Sequence, residues 1–140
     1  MKKLRALSIK QPFAEQVMRG SKRFEYRSRP TMIRGRVYVY ASLKPRPGPD
    51  WKRVSKGPDG VPLGVVVGTV EVVGCRQLRT GDYAWALNSP KRPRRPIVPE
   101  AHPQPVWFFP FGRYRSRRRV GNAAHPCADP RSAWSPPRQR

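Results

Sequence analysis

A long β-branched run interrupted by glycines constrains the fold of this chain more than any other feature. Residues 63–73 read LGVVVGTVEVV, and glycines stand at positions 64, 68 and 74. β-Branched residues favour strands, whereas a glycine within a strand marks a bend or the close approach of another backbone segment. The pattern therefore predicts a long, strongly curved strand, as a small barrel requires.

Shorter strand patterns lie on both sides of this run. Residues 36–42 alternate, with Val37 and Val39 on one face and Tyr38 and Tyr40 on the other. Together with the long run, residues 6–9, 23–27, 83–87 and 106–109 complete about six predicted strands. Residues 90–105 are rich in proline and arginine, and proline cannot donate to a sheet ladder, so they are predicted to lie outside any central strand.

One helix is predicted between the first two strands. Pro12 suits the first helical position, and Gly20 suits the left-handed position that ends a helix. The apolar face of this helix is formed by Phe13, Ala14, Val17 and Met18. The fold class is therefore mainly β with one or two short helices, in a single small domain whose barrel is closed to remove exposed edges.

The charge balance predicts a polyanionic partner. The chain holds 30 Lys and Arg against 8 Asp and Glu, a net charge of +22. Such a surface repels itself, and nucleic acid relieves the repulsion because its phosphates release counterions when lysines and arginines bind them. RNA is the expected partner and DNA the alternative. No membrane partner is expected, since no apolar run reaches the roughly 18 residues of a spanning helix.

Composition divides the chain near its C-terminal end. Of the 18 prolines, 11 lie at or after Pro90, and residues 112–140 are rich in arginine with few large apolar residues. We therefore predict a folded domain over residues 1–111 and a disordered Arg/Pro-rich tail over residues 112–140.

The cysteines and histidines predict neither a metal nor a cofactor. Cys75 and Cys127 lie far apart and are expected to form no disulfide, which favours a cytoplasmic protein. His102 and His125 stand in proline-rich segments without partner ligands at metal spacing. The protein is expected to be a monomer.

Five short segments carry a resemblance to a known family. Residues 7–14 read LSIKQPFA and residues 20–27 read GSKRFEYR; GTVEV (68–72), YAWAL (83–87) and PVWF (105–108) follow. In this order they resemble the ASCH domain family of the PUA-like superfamily, over roughly residues 4–111. The resemblance implies a PUA-like β-barrel with a ligand cleft beside the first helix, RNA as the ligand, and Lys22 at the position of the family's cleft lysine.

Some relatives in this family are enzymes, and the resemblance bears on that possibility. One branch cleaves RNA. Another hydrolyses N4-acetylcytidine with a lysine and, three residues later, a nucleophilic threonine, where this chain has Glu25. A carboxylate supplies no hydroxyl for acyl transfer. The main hypothesis is therefore an RNA-binding domain, and the alternative is a metal-independent RNA or modified-nucleoside hydrolase with Lys22 and Glu25 as its catalytic residues.

The candidate nucleic-acid contacts are chosen by charge and position: Lys10, Gln11, Lys22, Arg23, Arg27 and Trp51. Lys10 and Gln11 stand at the turn into the helix, where free N–H groups attract anions. In an extended segment Arg23, Glu25 and Arg27 share one face.

Two questions stay open at this point. Glu25 is either a site residue or an ion-pair partner of Arg23 or Arg27, with Phe24 and Tyr26 in the core. Trp51, among lysines and arginines, either stacks on a base or belongs to a solvated loop.

Overall fold

Six strands and two short helices make up the computed structural model of the protein, which describes residues 4–54, 60–100 and 106–111. In chain order they are β1 (Ala6–Ile9), α1 (Phe13–Met18), β2 (Phe24–Arg27), β3 (Gly35–Ala41), a 3-10 helix (Pro49–Val54), β4 (Val65–Gln77), β5 (Tyr83–Lys91) and β6 (Trp107–Phe108).

The strands form one sheet in the order β2-β5-β4-β3-β1-β6. Among the described strands, only β1 and β3 pair in parallel, and the other neighbours are antiparallel. The long strand β4 shifts register against both β3 and β5, which bends it. The predicted mainly β, single small domain is confirmed. The expected closure of the barrel is wrong: among the described strands the hydrogen-bonded order ends at β2 and β6, and the sheet curls into a half-barrel.

Side-chain contacts span the opening between the two ends of the sheet. The Arg27 guanidinium on β2 donates a hydrogen bond to the Ser8 carbonyl on β1, with 2.7 Å between Nη2 and O. Trp85 on β5 stacks against Trp107 on β6, with ring centroids 5.6 Å apart. We call this opening the seam, and it positions the candidate site.

Helix α1 covers the main core. Its buried residues Ala14, Val17 and Met18 pack with valines of β3 and β4, while Phe13 is partly buried against them, so the predicted apolar face is confirmed. The helix ends as predicted, because Gly20 has a φ of 77°. Gly68 on β4 shows why the run carries glycines: a Cβ there would overlap the Met18 side chain and the Lys91 carbonyl.

The prediction that residues 90–105 avoid a central strand is wrong at its beginning. Strand β5 continues through Pro90 to Lys91, and it lies between β2 and β4. Its pairing with β4 shifts from Asn88 opposite Glu71 to Lys91 opposite Thr69. Pro90 therefore falls in the irregular stretch, where its missing N–H costs no ladder hydrogen bond.

The prediction that Cys75 and Cys127 form no disulfide stays a prediction, because Cys127 lies outside the described residues. The cytoplasmic location likewise stays a prediction. The predicted tail over residues 112–140, and His102 and His125, lie outside the described residues. Within the described ranges, no helix is long and apolar enough to span a membrane.

Candidate functional site

A cleft of about 620 Å³ opens at the seam, between β2 and the end of β1. Its charged lining residues are four cations and two carboxylates, a local balance of +2: Lys10, Lys22, Arg27, Arg46, Glu25 and Asp50. Phe13 and Tyr26 supply aromatic surface to the same cleft. The structure thus brings together Lys10, Lys22, Glu25 and Arg27 from the predicted set.

Glu25 lies on the cleft floor between two of these cations. Its residue is 7% exposed. One carboxylate oxygen, Oε1, accepts a hydrogen bond from Arg27 Nε at 3.0 Å, and Oε2 lies 3.7 Å from Lys22 Nζ. Oε2 accepts no hydrogen bond from any described residue. Glu25 is therefore an ion-pair partner of Arg27, as one alternative proposed, and also a lining residue of the cleft.

Arg27 holds the cleft floor to the neighbouring strand. Besides Glu25 and the Ser8 carbonyl, its guanidinium contacts the face of Trp85, 5.8 Å from the ring centroid. These contacts occupy the planar fork that a phosphate would otherwise engage. The main role of Arg27 is therefore structural, because it links β2 to β1 across the seam.

Lys22 enters the cleft from the turn that follows α1. The backbone N–H groups of Ser21 and Lys22 both donate to the Gln16 carbonyl, which fixes the chain after the left-handed Gly20. Lys22 Nζ lies 5.1 Å from the Phe13 ring centroid and 5.0 Å from that of Tyr26, so it is held between two aromatic rings. Burial lowers the pKa of Lys22 below its usual value, and the nearby Glu25 carboxylate only partly opposes that effect.

Tyr26 lies at the rim of the cleft and not in the core. Its residue is 56% exposed, so the interpretation that buried both Phe24 and Tyr26 is wrong for Tyr26. The alternation along β2 is correct, but β2 is a terminal strand of the sheet. The outer face of a terminal strand need not meet another layer, and the sequence did not reveal that β2 stands at an end.

Lys10 and Gln11 are neighbours with opposite surroundings. Lys10 is exposed at the cleft, whereas Gln11 is 0% exposed and does not line it. The Gln11 amide donates to the Pro62 carbonyl, and its Oε1 accepts from the Glu15 backbone N–H. Gln11 therefore belongs to the scaffold, and a ligand contact through its side chain does not fit this burial.

Arg23 and Trp51 also lie away from the cleft lining. Arg23 is exposed just before β2, and its carbonyl accepts a hydrogen bond from the Leu87 N–H. Trp51 is half-buried, and its indole donates to the Arg46 carbonyl at 2.8 Å. Nucleic-acid contacts by these two residues stay predictions, without support from the cleft geometry.

Arg46 is the cleft cation that sequence reasoning missed. Its guanidinium lies 5.3 Å from the Phe13 ring centroid and 3.8 Å from Asp50. Its backbone N–H donates to the Gln11 carbonyl, which brings the loop after β3 to the start of α1. No local pattern marks Arg46, because the contact joins segments that are distant in sequence.

Glu15 is a second missed residue, outside the cleft. It is buried and pairs with Arg19 on the next helical turn and with Arg92 beyond β5, at 3.0 and 2.9 Å. Burial raises the pKa of the Glu15 carboxyl, but hydrogen bonds from Arg92 and Arg19 outweigh it, so the net shift is downward. In the sequence, only the spacing of four residues between Glu15 and Arg19 indicated an ion pair.

The exposed cations of the cleft suit the binding of an anion. Among the described residues, no group of three His, Cys, Asp or Glu side chains stands close enough to hold a metal. Lys10 forms no ion pair within the part of the chain that the structure describes, and Arg46 forms one there only with the Asp50 carboxylate, at 3.8 Å. These two cations are the ones most available to a phosphate.

Comparison with known proteins identifies the family. The family model of the ASCH domain matches residues 7–102, a range that includes the cleft residues of β1, α1 and β2. A comparison with curated proteins found no match. The matched range covers more than half of the 140 residues and agrees with the mainly β half-barrel, so the chain belongs to the ASCH domain family.

Proposed function

We propose that the protein binds RNA through the cleft at the seam, with phosphates held by Lys10, Lys22 and Arg46. ASCH domains are generally thought to bind RNA. The observation that carries the proposal is the cleft itself, where cations outnumber carboxylates by four to two. Charge-assisted hydrogen bonds from lysine and arginine are the usual protein contacts to phosphate.

The proposal is supported by the way the cations are presented. Lys10 and Arg46 are exposed at the rim, while Lys22 is held between the Phe13 and Tyr26 rings. A cationic side chain that is already held in position before the ligand arrives loses less conformational freedom on binding. The chain's net charge of +22 adds long-range attraction for any nucleic acid.

Replacing Arg46 by Gln tests the location of binding. Arg46→Gln removes a cleft cation, and we expect single-stranded RNA of about ten nucleotides to bind roughly fivefold more weakly, the effect of about 1 kcal/mol. Arg79→Gln is the matched control, because Arg79 is exposed between β4 and β5 and does not line the cleft. Fluorescence anisotropy at constant salt measures both affinities. Equal losses at the two positions would place binding elsewhere.

A second candidate function, metal-independent RNA hydrolysis, is favoured by one observation. Lys22 has a lowered pKa and lies 3.7 Å from the Glu25 carboxylate inside the cleft. A lysine with a lowered pKa gives up its proton more readily, and its neutral amine can act as a general base. The Lys22 variant described in the Discussion separates this candidate from simple binding.

A further inference from the structure

An exposed aromatic ring at the rim of the cationic cleft carries an inference about the form of RNA that the cleft accepts. Tyr26 lies on the terminal strand β2, lines the cleft and keeps 56% of its surface exposed. A tyrosine in that position is not needed by the core clusters, which do not include it. The inference rests on the proposed function, because it assumes that the cleft binds RNA.

Two neighbouring side chains, Lys22 and Phe24, orient the Tyr26 ring. Lys22 Nζ lies 5.0 Å from the Tyr26 ring centroid, and the Phe24 ring lies 6.4 Å away at a tilt of 31°. These contacts hold the ring without covering it, as the exposure shows. An aromatic ring beside a cationic groove is the arrangement on which unpaired bases stack.

The size of the cleft limits what can reach this ring. A volume of about 620 Å³ lies within the usual range of small-ligand pockets, about 300–1,000 Å³. One nucleotide fits such a cleft, whereas the bases of a duplex are stacked on each other and present no free face. The phosphate on either side of the bound nucleotide would meet Lys10 and Arg46 at the rim.

We propose that the cleft accepts one unpaired nucleotide at a time, with its base stacked on Tyr26 and its phosphates at Lys10 and Arg46. Stacking uses the face that every base has, so this contact selects single-stranded RNA without selecting a sequence.

The test compares three RNAs of equal phosphate count on the full-length protein. One strand carries all its bases, one is abasic throughout, and one is abasic except for a single central base. We expect the complete strand to bind about tenfold more tightly than the abasic strand, within the range known for stacking of one base. The strand with a single base should recover most of that difference.

Variants of Tyr26 connect the difference to this ring. Tyr26→Leu should lose about tenfold in affinity for the complete strand and nothing for the abasic strand, whereas Tyr26→Phe should behave as wild type. Because Tyr26 is exposed, neither change should lower the melting temperature, which circular dichroism checks. Affinity for a duplex of the same sequence should not respond to Tyr26→Leu.

The outcomes separate this inference from the proposed function. If RNA binds but the abasic strand binds as tightly as the complete strand, stacking on Tyr26 is wrong and RNA binding by the cleft stands. If the single base recovers little, the limit of one nucleotide is wrong. If none of the RNAs binds, the proposed function fails and the inference fails with it.

Discussion

At the scale of single residues, the single negative charge of Glu25 lies near two cations on the cleft floor and reduces the repulsion between them. Lys22 Nζ lies 3.7 Å from its Oε2, and Arg27 Nε lies 3.0 Å from its Oε1. The sequence indicated Arg23 or Arg27 as alternative partners, since both share a strand face with Glu25, and the structure shows the pairing with Arg27. The sequence did not predict the pairing with Lys22, because that contact depends on the path of the turn after Gly20.

Replacing Lys22 by Ala distinguishes a binding site from a catalytic one. If the cleft only binds RNA, Lys22→Ala should weaken affinity by about five- to tenfold, as expected for one charge-assisted contact. Wild-type protein should also leave labelled RNA intact, as judged by gel electrophoresis after long incubation. Lys91→Ala is the control, because Lys91 is exposed and does not line this cleft.

A different result would favour the hydrolase. Turnover of RNA or of N4-acetylcytidine by wild type, lost by orders of magnitude in Lys22→Ala with a smaller change in binding, would identify Lys22 as catalytic. Melting curves of both variants are needed alongside, since loss of Lys22 also leaves Glu25 with one cation fewer.

At the scale of elements, α1 is joined to the segment after β5 through Glu15 and Arg92. The two residues are 77 positions apart, and both nitrogens of the Arg92 guanidinium end contact the Glu15 carboxylate, at 3.2 and 2.9 Å. The helix and its apolar face could be predicted because their signals are local. The Glu15–Arg92 pair could not be predicted, because the proline-rich segment that holds Arg92 has no hydrophobic periodicity to indicate where it packs.

The Glu15 pair predicts a pH dependence of stability. Because the folded state lowers the pKa of Glu15 below its usual 4.5, the stabilisation is complete above pH 4.5 and is lost as the pH falls through the lower, folded value. Glu15→Gln should therefore reduce the free energy of unfolding near pH 7 by about 1–2 kcal/mol, allowing for solvent around the two arginines.

Urea denaturation at a series of pH values checks this prediction. The difference between wild type and Glu15→Gln should shrink as the pH falls below 4.5. Arg92→Gln should remove part of the same pH dependence, because Arg92 supplies the larger share of the favourable contacts. A constant difference at every pH would show that Glu15 contributes through packing and not through its charge.

The strands show where local patterns suffice and where they fail. The alternation of β3 correctly placed Val37 and Val39 on one face, and the structure shows that this face packs in the main core. Strand β4 extends to Gln77, beyond the predicted end at position 73, because its last residues pair with β5 in a hairpin without a buried face to mark them. Burial patterns in a sequence predict the part of a strand that packs against the core. Backbone pairing with a neighbouring strand can extend the strand beyond that part.

At the scale of the whole molecule, the charge predicted a class of partner but not a location. A net charge of +22 is spread over the chain, whereas the cleft itself contributes a balance of only +2. The cleft residues come from β1, α1, β2 and the loop after β3, so the sheet topology was needed to bring them together.

The distribution of charge predicts the salt dependence of RNA binding. The two phosphates beside a nucleotide bound in the cleft give a slope of log affinity against log salt of magnitude about 1.4, at roughly 0.7 per phosphate. We expect a slope of at least that size between about 50 and 200 mM salt, with cations outside the cleft adding to it. Anisotropy titrations measure the slope, and a magnitude below about 1 would contradict phosphate binding in the cleft.

The open seam of the half-barrel makes the candidate site and the integrity of the sheet interdependent. Arg27 fastens β2 to β1 and also forms the floor on which a ligand would rest. Substitutions that free this guanidinium for tighter ligand contact would loosen the terminal strand that carries Tyr26. The rim cations Lys10 and Arg46 can therefore be replaced at less cost to folding than Arg27 on the floor.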